Sequence, residues 1–367
     1  MMGTLSACGS DARARLDARL RAMVELHFDP MDGAAFWVDR AKALGITPRA
    51  EIDCIESLPL LGEMDASDLR ARPLLDYIPR RFHGRMSEFT IAQTGGTTTG
   101  AAGGFGAWTA YRQDELLAAF VEPFVSAATA LGFPRGQGWL FVGPSGPHVI
   151  GKVVPHLARE LGSAEPFCVD FDPRWANRLT PGSFARARYR AHVIDQAMAI
   201  VDRQDVTVLF TTPPVLHAMA ERMTDRQRES IRAVHYGGVA IAPETMRQFQ
   251  QSTFPRAVHL SGYGNTLFGC CLELSTKLGR AIDYFPHGER LLLEVVDDGG
   301  EPVAPGESGR VRFTRLDESM LIVRMIERDV AQSIRCPAGA PRGFHLPGVR
   351  DPHTPASTPS GVADPLY

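Results

Sequence analysis

The chain has 367 residues, of which 44% are hydrophobic, and its formal net charge is −3. This length can form two or three compact units, and the composition is typical of a soluble globular protein. The charge offers no basic surface for nucleic acid, and no apolar run reaches membrane-spanning length. The 6 cysteines lack C-x-x-C spacing, which argues against a zinc site or a disulfide framework. We therefore expect a cytoplasmic protein that binds neither nucleic acid nor a membrane.

Residues 1–88 predict an N-terminal helical segment that wraps over the rest of the chain. Within Asp11–Leu44, apolar residues recur on one face of a helix, at Leu16, Leu20, Met23, Val24 and Phe28. The stretch Ile52–Arg81 is interrupted by prolines, which predicts shorter elements there.

Residues 89–284 alternate short apolar strands with amphipathic helices, including a long helix predicted over Arg112–Leu131. This alternation predicts an α/β domain with a largely parallel sheet. Ligands bind beyond the carboxyl ends of parallel strands, so we expect a binding cleft at that edge. The predicted strands end in turns of small residues, at Thr94–Gly100, Gly143–Gly151, Thr211–Pro214, Gly237–Gly238 and Gly262–Gly264.

Residues 285–336 have a different pattern, in which β-rich segments are separated by turns such as Asp298–Gly300. They predict a small antiparallel, barrel-like subdomain. The expected fold class is thus a layered α/β sandwich with parallel sheets and a small β-rich subdomain. Proline, glycine, serine and threonine dominate residues 337–367, which we interpret as a hinge-like remnant and a tail that is flexible from Pro352.

The strongest local signal is a loop of glycines and threonines, Thr94-Gly95-Gly96-Thr97-Thr98-Thr99-Gly100. Glycines let backbone N–H groups approach a phosphate, and threonine hydroxyls add further donors. No Gly-Lys-Ser/Thr follows, so the loop is not a Walker motif, and it does not spell G-x-G-x-x-G. A flexible surface loop of the same composition remains the alternative.

Five segments in this order resemble the adenylate-forming superfamily of acyl-CoA synthetases, peptide-synthetase adenylation domains and luciferases. The phenylacetate–CoA ligase branch is the most similar. The resemblance extends over roughly Leu26 to Asp351 and implies ATP or AMP as the nucleotide. Its segments are the phosphate loop Thr94–Gly100, the adenine-side strand and turn Val234–Val239, the Tyr-Gly-x-Thr/Ser signature Ser261–Thr266, the acidic turn region Leu292–Gly309, and Ile322–Asp329.

The resemblance also implies a role for individual residues. Tyr263 is expected to stack on adenine, while Asp329 and Arg350 bind the ribose. The residues expected to act on the phosphates are Thr94, Thr97, Thr98 and Thr266. Further nucleotide contacts are expected from Gly95, Gly96, Thr99, Gly100, Gly237, Gly238, Val239 and Gly264. The residues similar to acyl-pocket walls are His148, Gly151, Thr212 and Pro213.

Each role has a structural alternative that the sequence leaves open. Tyr263 could instead be a core aromatic residue, Asp329 a turn residue and Arg350 a surface charge. His148 could be a hydrogen-bonded loop histidine with no ligand.

Three departures from the family pattern bear on turnover. Leu267 stands where the family has the glutamate that holds magnesium, so Mg²⁺ is expected without its usual protein ligand. We therefore predict that no residue of the chain binds the metal. Glu273 is a weak candidate to replace the family's magnesium-binding glutamate. The phosphate loop lacks the family's lysine. We also expect the mobile C-terminal domain, with its catalytic lysine, to be absent; the lysines of this chain are Lys42, Lys152 and Lys277.

Truncated members of this branch from phenazine-antibiotic biosynthesis resemble this chain in length. The resemblance therefore implies ATP-dependent adenylation of an aromatic carboxylic acid, whose acyl group passes to a partner enzyme. One alternative is a catalytically degenerate protein that binds AMP or an aryl acid. Another is acyl transfer to a cysteine of the chain, as in the acyl-protein synthetases of bioluminescence, although no cysteine has an activating histidine nearby in sequence. A homodimer is compatible with the sequence, which does not specify an oligomeric state.

Overall fold

The computed structural model describes residues 10–95, 106–275 and 281–355. Within these ranges the chain forms two compact units. Unit 1 contains the described residues up to Glu122, together with Thr266–Gly269 and Phe285–Pro355. Unit 2 contains Pro123–Asn265 and the described part of Cys270–Tyr284. The predicted phosphate-loop residues Gly96, Thr97, Thr98, Thr99 and Gly100 lie outside the described residues.

The regular elements are numbered in chain order. The α-helices are α1 Ser10–His27, α2 Ala35–Leu44, α3 Pro48–Glu51, α4 Asp68–Ala71, α5 Gln113–Leu116, α6 Glu122–Ala130, α7 Val149–Glu160, α8 Pro173–Arg178, α9 Phe184–Val201, α10 Pro213–Arg222, α11 Asp225–Ser230 and α12 Pro243–Gln248. The strands are β1 Phe89–Gln93, β2 Trp108–Arg112, β3 Trp139–Val142, β4 Phe167–Val169, β5 Val208–Thr211, β6 Ala233–Tyr236, β7 Val258–Asn265, β8 Gly269–Glu273, β9 Asp283–Phe285, β10 Leu291–Val296, β11 Ser308–Leu316, β12 Leu321–Ile334 and β13 Gly348–His353. The 3₁₀ segments are Ile55–Leu61, Leu74–Tyr77 and Arg80–Glu88, and the π-helical segments are Leu117–Val121 and Phe249–Thr253.

The N-terminal part of unit 1 forms two helices where the sequence pattern predicts one continuous helical stretch. The stretch predicted over Asp11–Leu44 forms α1 and α2 with a turn between them. Gly33 makes this turn possible, because a Cβ there would lie 2.5 Å from the carbonyl oxygens of His27 and Asp29. Among the described helices, none combines the length and hydropathy that crossing a lipid bilayer requires.

Two antiparallel sheets complete unit 1. β1 pairs with β2, so the expectation that Thr94–Gly100 follows a strand of the parallel sheet is wrong. The second sheet runs β10-β11-β12-β13, which confirms the antiparallel, β-rich subdomain. The expected flexibility from Pro352 is wrong for Pro352 and His353, because both residues belong to β13 and this strand is paired with β12.

Unit 2 is built on a sheet with the strand order β9-β8-β7-β6-β5-β3-β4. The pairings among β7, β6, β5, β3 and β4 are parallel, which confirms the predicted sheet type. Every residue of β3, β5 and β6 is buried, as expected for strands covered on both faces.

Two element boundaries in the α/β region differ from the predictions. The helix expected over Arg112–Leu131 is interrupted by the π-helical turn Leu117–Val121. Gly262–Gly264 was expected to be a turn, but β7 continues through it to Asn265. Pairing with neighbouring strands outweighs the weak strand preference of glycine here.

Candidate functional site

The carboxyl ends of the parallel strands in unit 2 lie in one row. The successive Cα partners across β4, β3, β5, β6 and β7 are Val169, Val142, Thr211, Tyr236 and Ser261. The residue that follows each partner therefore leaves this row toward the same edge of the sheet. Three of these residues, Thr212, Gly237 and Gly262, belong to predicted site segments. Since ligands of parallel sheets bind at this edge, the row forms the candidate nucleotide and acyl site.

The turn after β6 passes close to the backbone of β7. A Cβ at Gly237 would lie 3.1 Å from the carbonyl oxygen of Gly262, which is closer than ordinary van der Waals contact. Gly238 has φ 79°, a conformation that side-chain-bearing residues rarely adopt. Gly237 and Val239 are half-buried and Gly238 is exposed. Two glycines therefore keep this turn against the strand that carries Tyr263.

Tyr263 and Gly264 lie near the end of β7, and both are half-buried. The Tyr263 ring lies 5.8 Å from the Tyr284 ring, with 45° between their planes. Tyr236, by contrast, is fully buried in the preceding strand. Tyr263 thus keeps part of its surface open, which suits a ring that stacks on a ligand better than a core aromatic.

Glu273 on β8, the weak substitute for the family's magnesium ligand, is 4% exposed. Its Oε2 accepts a bond from the Ser261 N–H at 3.4 Å. Burial raises the pKa of Glu273 to about 8, and Asp283 adds to the rise, so the carboxyl is protonated at neutral pH. Leu267 is buried and has no ligand atom. In the described parts of the chain, no group of three or more His, Cys, Asp or Glu is arranged to hold a metal ion.

The turn after β3 carries His148, which directly precedes α7. His148 is buried, and its Nε2 has no hydrogen-bond partner in the structure. Burial, with Arg174 second, lowers the pKa of His148, so the imidazole is neutral at pH 7. Gly151 lets α7 approach the turn, because a Cβ there would lie 2.7 Å from Ser145 Cα. Nε2 of His148 is thus a buried polar atom available to a ligand.

The end of β5 brings Thr212 and Pro213 to the same edge. Thr211 donates a hydrogen bond from Oγ1 to the Val142 carbonyl at 2.7 Å, which ties β5 to β3. Thr212 is buried at the N-cap of α10, and Pro213 occupies the first turn of that helix. Proline is favoured at this position because its missing N–H would have no partner within the helix.

In unit 1, Thr94 and Ala107 close the base of the loop between β1 and β2. The Thr94 N–H donates to the Ala107 carbonyl at 2.9 Å, and Thr94 Oγ1 accepts from the Ala107 N–H at 2.9 Å. A side chain at Gly106 would overlap the Thr94 carbonyl oxygen. Thr94 and Gly95 thus lie where the predicted phosphate loop begins, and Thr94 Oγ1 already accepts one bond within the hairpin.

The predicted ribose-binding residues lie on paired strands of unit 1. Asp329 is on β12, so it is not a turn residue, and its Oδ1 accepts from Thr354 Oγ1 at 2.7 Å. Arg350 is on β13, half-buried, and donates from Nη1 to Gln332 Oε1 at 3.4 Å. The next residue, Asp351, has φ 47°, which is uncommon for a residue other than glycine.

Thr266 is half-buried and lies in a short segment of unit 1 that buried side chains hold through its backbone. Its carbonyl accepts from Tyr111 Oη at 2.9 Å. Sequence reasoning missed Tyr111 and the neighbouring ionic cluster of Arg290, Arg315 and Asp317. The available signal was a pair of charged residues, Arg315 and Asp317, on either side of Leu316 at the end of β11.

The comparisons with known proteins agree with this geometry. Residues 184–315 match the family model described as "AMP-binding enzyme". A structure of 2-hydroxyisobutyryl-CoA ligase in the postadenylation state with R3-HIB-AMP has a TM-score of 0.64 and 14% identity, and the alignment covers 95% of this chain and 68% of the ligase chain. The same ligase with 2-HIB-AMP and CoA in the thioesterification state gives a TM-score of 0.62 and 15% identity, covering 95% and 68%. An open conformation of that ligase gives 0.63 and 14%, covering 95% and 75%. No curated protein sequence matches the chain.

The fold is that of the adenylate-forming enzymes. Residues 184–315 are thus similar to AMP-binding enzymes, and the match does not extend over the rest of the chain. The matched range includes the strand ends that carry Thr212, Gly237 and Tyr263, and it extends over the segment Thr266–Gly269.

Proposed function

We propose that the chain activates a carboxylic acid by transferring AMP to it from ATP. The observation that carries this proposal is that the match to the AMP-binding family covers three of the five strand ends in the row, those of β5, β6 and β7. Glycines at that edge bring backbone close to a ligand, and Tyr263 offers a partly open ring. The likeness in fold to a ligase whose structures hold HIB-AMP supports the same class of reaction.

In the proposed reaction, a carboxylate oxygen of the acid attacks the α-phosphorus of ATP. An acyl O–P bond forms, the bond from phosphorus to the oxygen bridging to the β-phosphate breaks, and pyrophosphate leaves with that electron pair. The chain forms no covalent bond to the reactants, so its residues act by orientation and by stabilising charge. In this proposal Tyr263 stacks on adenine, Thr266 donates to an α-phosphate oxygen, and Asp329 accepts bonds from the ribose hydroxyls.

The finer proposal is that the acid is aromatic and that its activation is a step in secondary metabolism of the phenazine-antibiotic type. Its support is the sequence resemblance, together with aromatic side chains close to the same strand ends. Phe141 and Phe210 directly precede the row, and their rings lie 5.3 Å apart. The neutral His148 Nε2 is suited to a hydrogen bond with a polar group of the acid. The acyl group then passes to a partner enzyme or, as in the ligase structure that contains CoA, to a thiol.

The test is ATP–pyrophosphate exchange measured with aromatic, hydroxy and aliphatic acids, and with and without coenzyme A. We expect acid-dependent exchange that is greatest with an aromatic acid. Tyr263→Ala should raise KM for ATP about fivefold, since stacking contributes roughly 1 kcal/mol. Tyr263→Phe keeps the ring and serves as the matched control, so it should stay near wild type. Equal effects of the two substitutions would overturn the stacking role.

A second candidate function is binding of AMP or an aryl acid without turnover. The observation that favours it is that Leu267, at the family's magnesium position, has no ligand atom in its side chain, while burial raises the pKa of Glu273 to about 8. Calorimetry with AMP separates the two functions. Binding of AMP without acid-dependent exchange would support the binding protein and refute the enzyme.

A further inference from the structure

Three consecutive backbone carbonyls in unit 1 each accept a hydrogen bond from a different buried side chain. Tyr111 Oη donates to the Thr266 carbonyl at 2.9 Å. Arg315 Nη1 donates to the Leu267 carbonyl at 3.0 Å. Arg290 Nη1 donates to the Phe268 carbonyl at 2.6 Å. We call Tyr111, Arg290, Arg315 and Asp317 the carbonyl clamp.

Asp317 joins the two arginines of the carbonyl clamp. Its Oδ1 accepts from Arg290 Nε at 3.0 Å, and its Oδ2 accepts from Arg290 Nη2 at 2.5 Å and from Arg315 Nε at 2.6 Å. The Arg315 guanidinium also lies 3.7 Å from the centre of the Tyr111 ring. Each donor of the clamp is therefore fixed by a second contact as well as by its carbonyl.

The clamp is buried, and this makes its carbonyl acceptors important. Arg315, Asp317 and Tyr111 have no exposed surface, and Arg290 is 7% exposed. Two guanidinium groups share one carboxylate, so their remaining N–H donors need other acceptors. The carbonyls of Leu267 and Ala110 and the hydroxyls of Thr109 and Ser319 accept from Arg315, and the Phe268 carbonyl accepts from Arg290. Loss of an acceptor would leave a charged donor buried without a partner, which is strongly unfavourable. The Thr266–Phe268 backbone is consequently held in one position.

We propose that the carbonyl clamp is a positioning device that fixes the Thr266 hydroxyl for the α-phosphate. The inference rests on the adenylation proposed above, in which the Thr266 hydroxyl meets the α-phosphate of ATP. The clamp binds backbone carbonyls, so it holds the segment whatever side chain occupies position 267. This explains how Leu267 can stand in the signature while the segment keeps a defined conformation. The clamp residues act through Thr266 and are positioning residues.

The first test measures the segment itself and does not depend on activity. Tyr111→Phe removes one hydroxyl and keeps the ring beneath Arg315. We expect amide hydrogen exchange in peptides covering 265–270 to become about five- to tenfold faster, as expected for the loss of one hydrogen bond. Tyr77→Phe is the matched control, because the buried Tyr77 hydroxyl also donates to a backbone carbonyl of unit 1, that of Asp68. It should leave these peptides unchanged, and equal exchange in the two variants would overturn the clamp.

The second test connects the clamp to the Thr266 hydroxyl through a double-mutant cycle on pyrophosphate exchange. Tyr111→Phe should lower kcat about fivefold in the wild-type background and leave kcat unchanged in a Thr266→Ala background. Thr266→Ser keeps the hydroxyl and should restore the sensitivity to Tyr111→Phe. Additive effects would refute a role through Thr266. Wild-type protein without exchange activity would refute the proposed function, and the hydrogen-exchange result would still decide whether the clamp exists.

Discussion

The hydroxyl of Ser261 lies 2.7 Å from the hydroxyl of Tyr284 within unit 2. Ser261 also donates its backbone N–H to Glu273, so one residue of β7 is tied both to Tyr284 and to a buried carboxyl on β8. The Tyr284 ring in turn neighbours Tyr263. Glu273 is therefore hydrogen-bonded to β7, the strand that carries Tyr263, the proposed adenine contact.

The first prediction concerns the pH dependence of stability. Burial raises the pKa of Glu273 from 4.5 to about 8. Between these values the folded protein keeps a proton that the unfolded chain releases. Glu273 therefore makes the free energy of unfolding fall as pH rises from about 4.5 to 8, by at most about 1.4 kcal/mol per pH unit.

Glu273→Gln removes this titration while keeping the shape of the side chain. We expect the difference in unfolding free energy between wild type and variant to decline steadily from pH 5 to 8 in urea titrations. Glu244→Gln, at an exposed position on α12, is the control and should give a difference that does not vary with pH. A constant difference for Glu273→Gln would contradict the raised pKa.

The second prediction concerns Asp317. Burial alone would raise the pKa of this carboxyl, but Arg290 and Arg315 outweigh burial and hold the pKa below its usual range. Asp317→Asn leaves two buried guanidinium groups without a charged partner and should reduce the free energy of unfolding by about 3–5 kcal/mol. Asp225→Asn breaks the exposed ion pair with Arg228 and should change stability little, as chemical denaturation of both variants can show. Similar losses in the two variants would be incompatible with the buried cluster.

The third prediction concerns the ribose. If Asp329 binds the ribose hydroxyls, wild type should prefer ATP over 2′-deoxy-ATP in exchange assays. Asp329→Ala should abolish this preference and raise KM for ATP about tenfold or more, because a bond to a charged acceptor is lost. Asp225→Ala is the control and should retain the preference. A preference that survives Asp329→Ala would exclude the assigned role.

The fourth prediction concerns His148. Because burial lowers its pKa, the ring should bind the acid as neutral imidazole. KM for the acid should therefore stay nearly constant from pH 7 to 8, whereas binding by a charged ring would weaken as pH rises. His148→Ala should raise KM for the acid about tenfold and leave KM for ATP unchanged. His217→Ala, at a half-exposed position on α10, is the control and should alter neither constant.

Sequence patterns predicted the parallel part of the fold well because its signals are local. Buried strands such as β5 and β6 are short and largely apolar, and the small residues Thr212 and Gly237 that follow them lie at the proposed site. The strand through Gly262–Gly264 was missed because pairing with neighbours, not local preference, keeps it extended. The separate pairing of β1 with β2 was missed for the same reason, since the sequence of a strand does not specify which other strand it pairs with.

The carbonyl clamp could not be predicted because its contacts link distant parts of the chain. Tyr111 and Thr266 are 155 residues apart, and Arg315 and Leu267 are 48 apart. The sequence places Arg315 near the end of a β-rich segment, but an exposed strand end would have the same pattern. Only the fold reveals that this guanidinium is buried and that its donors meet backbone carbonyls.

The pair Thr94–Ala107 has a consequence for the firmness of the hairpin. Two hydrogen bonds between these residues extend the pairing of β1 and β2, which are in register from Phe89–Arg112 to Gln93–Trp108. One of the two bonds uses the Thr94 hydroxyl, so the last step of the hairpin depends on a side chain as well as on the backbone. A residue without a hydroxyl at position 94 would therefore loosen the end of the hairpin and leave the register of the strands unchanged.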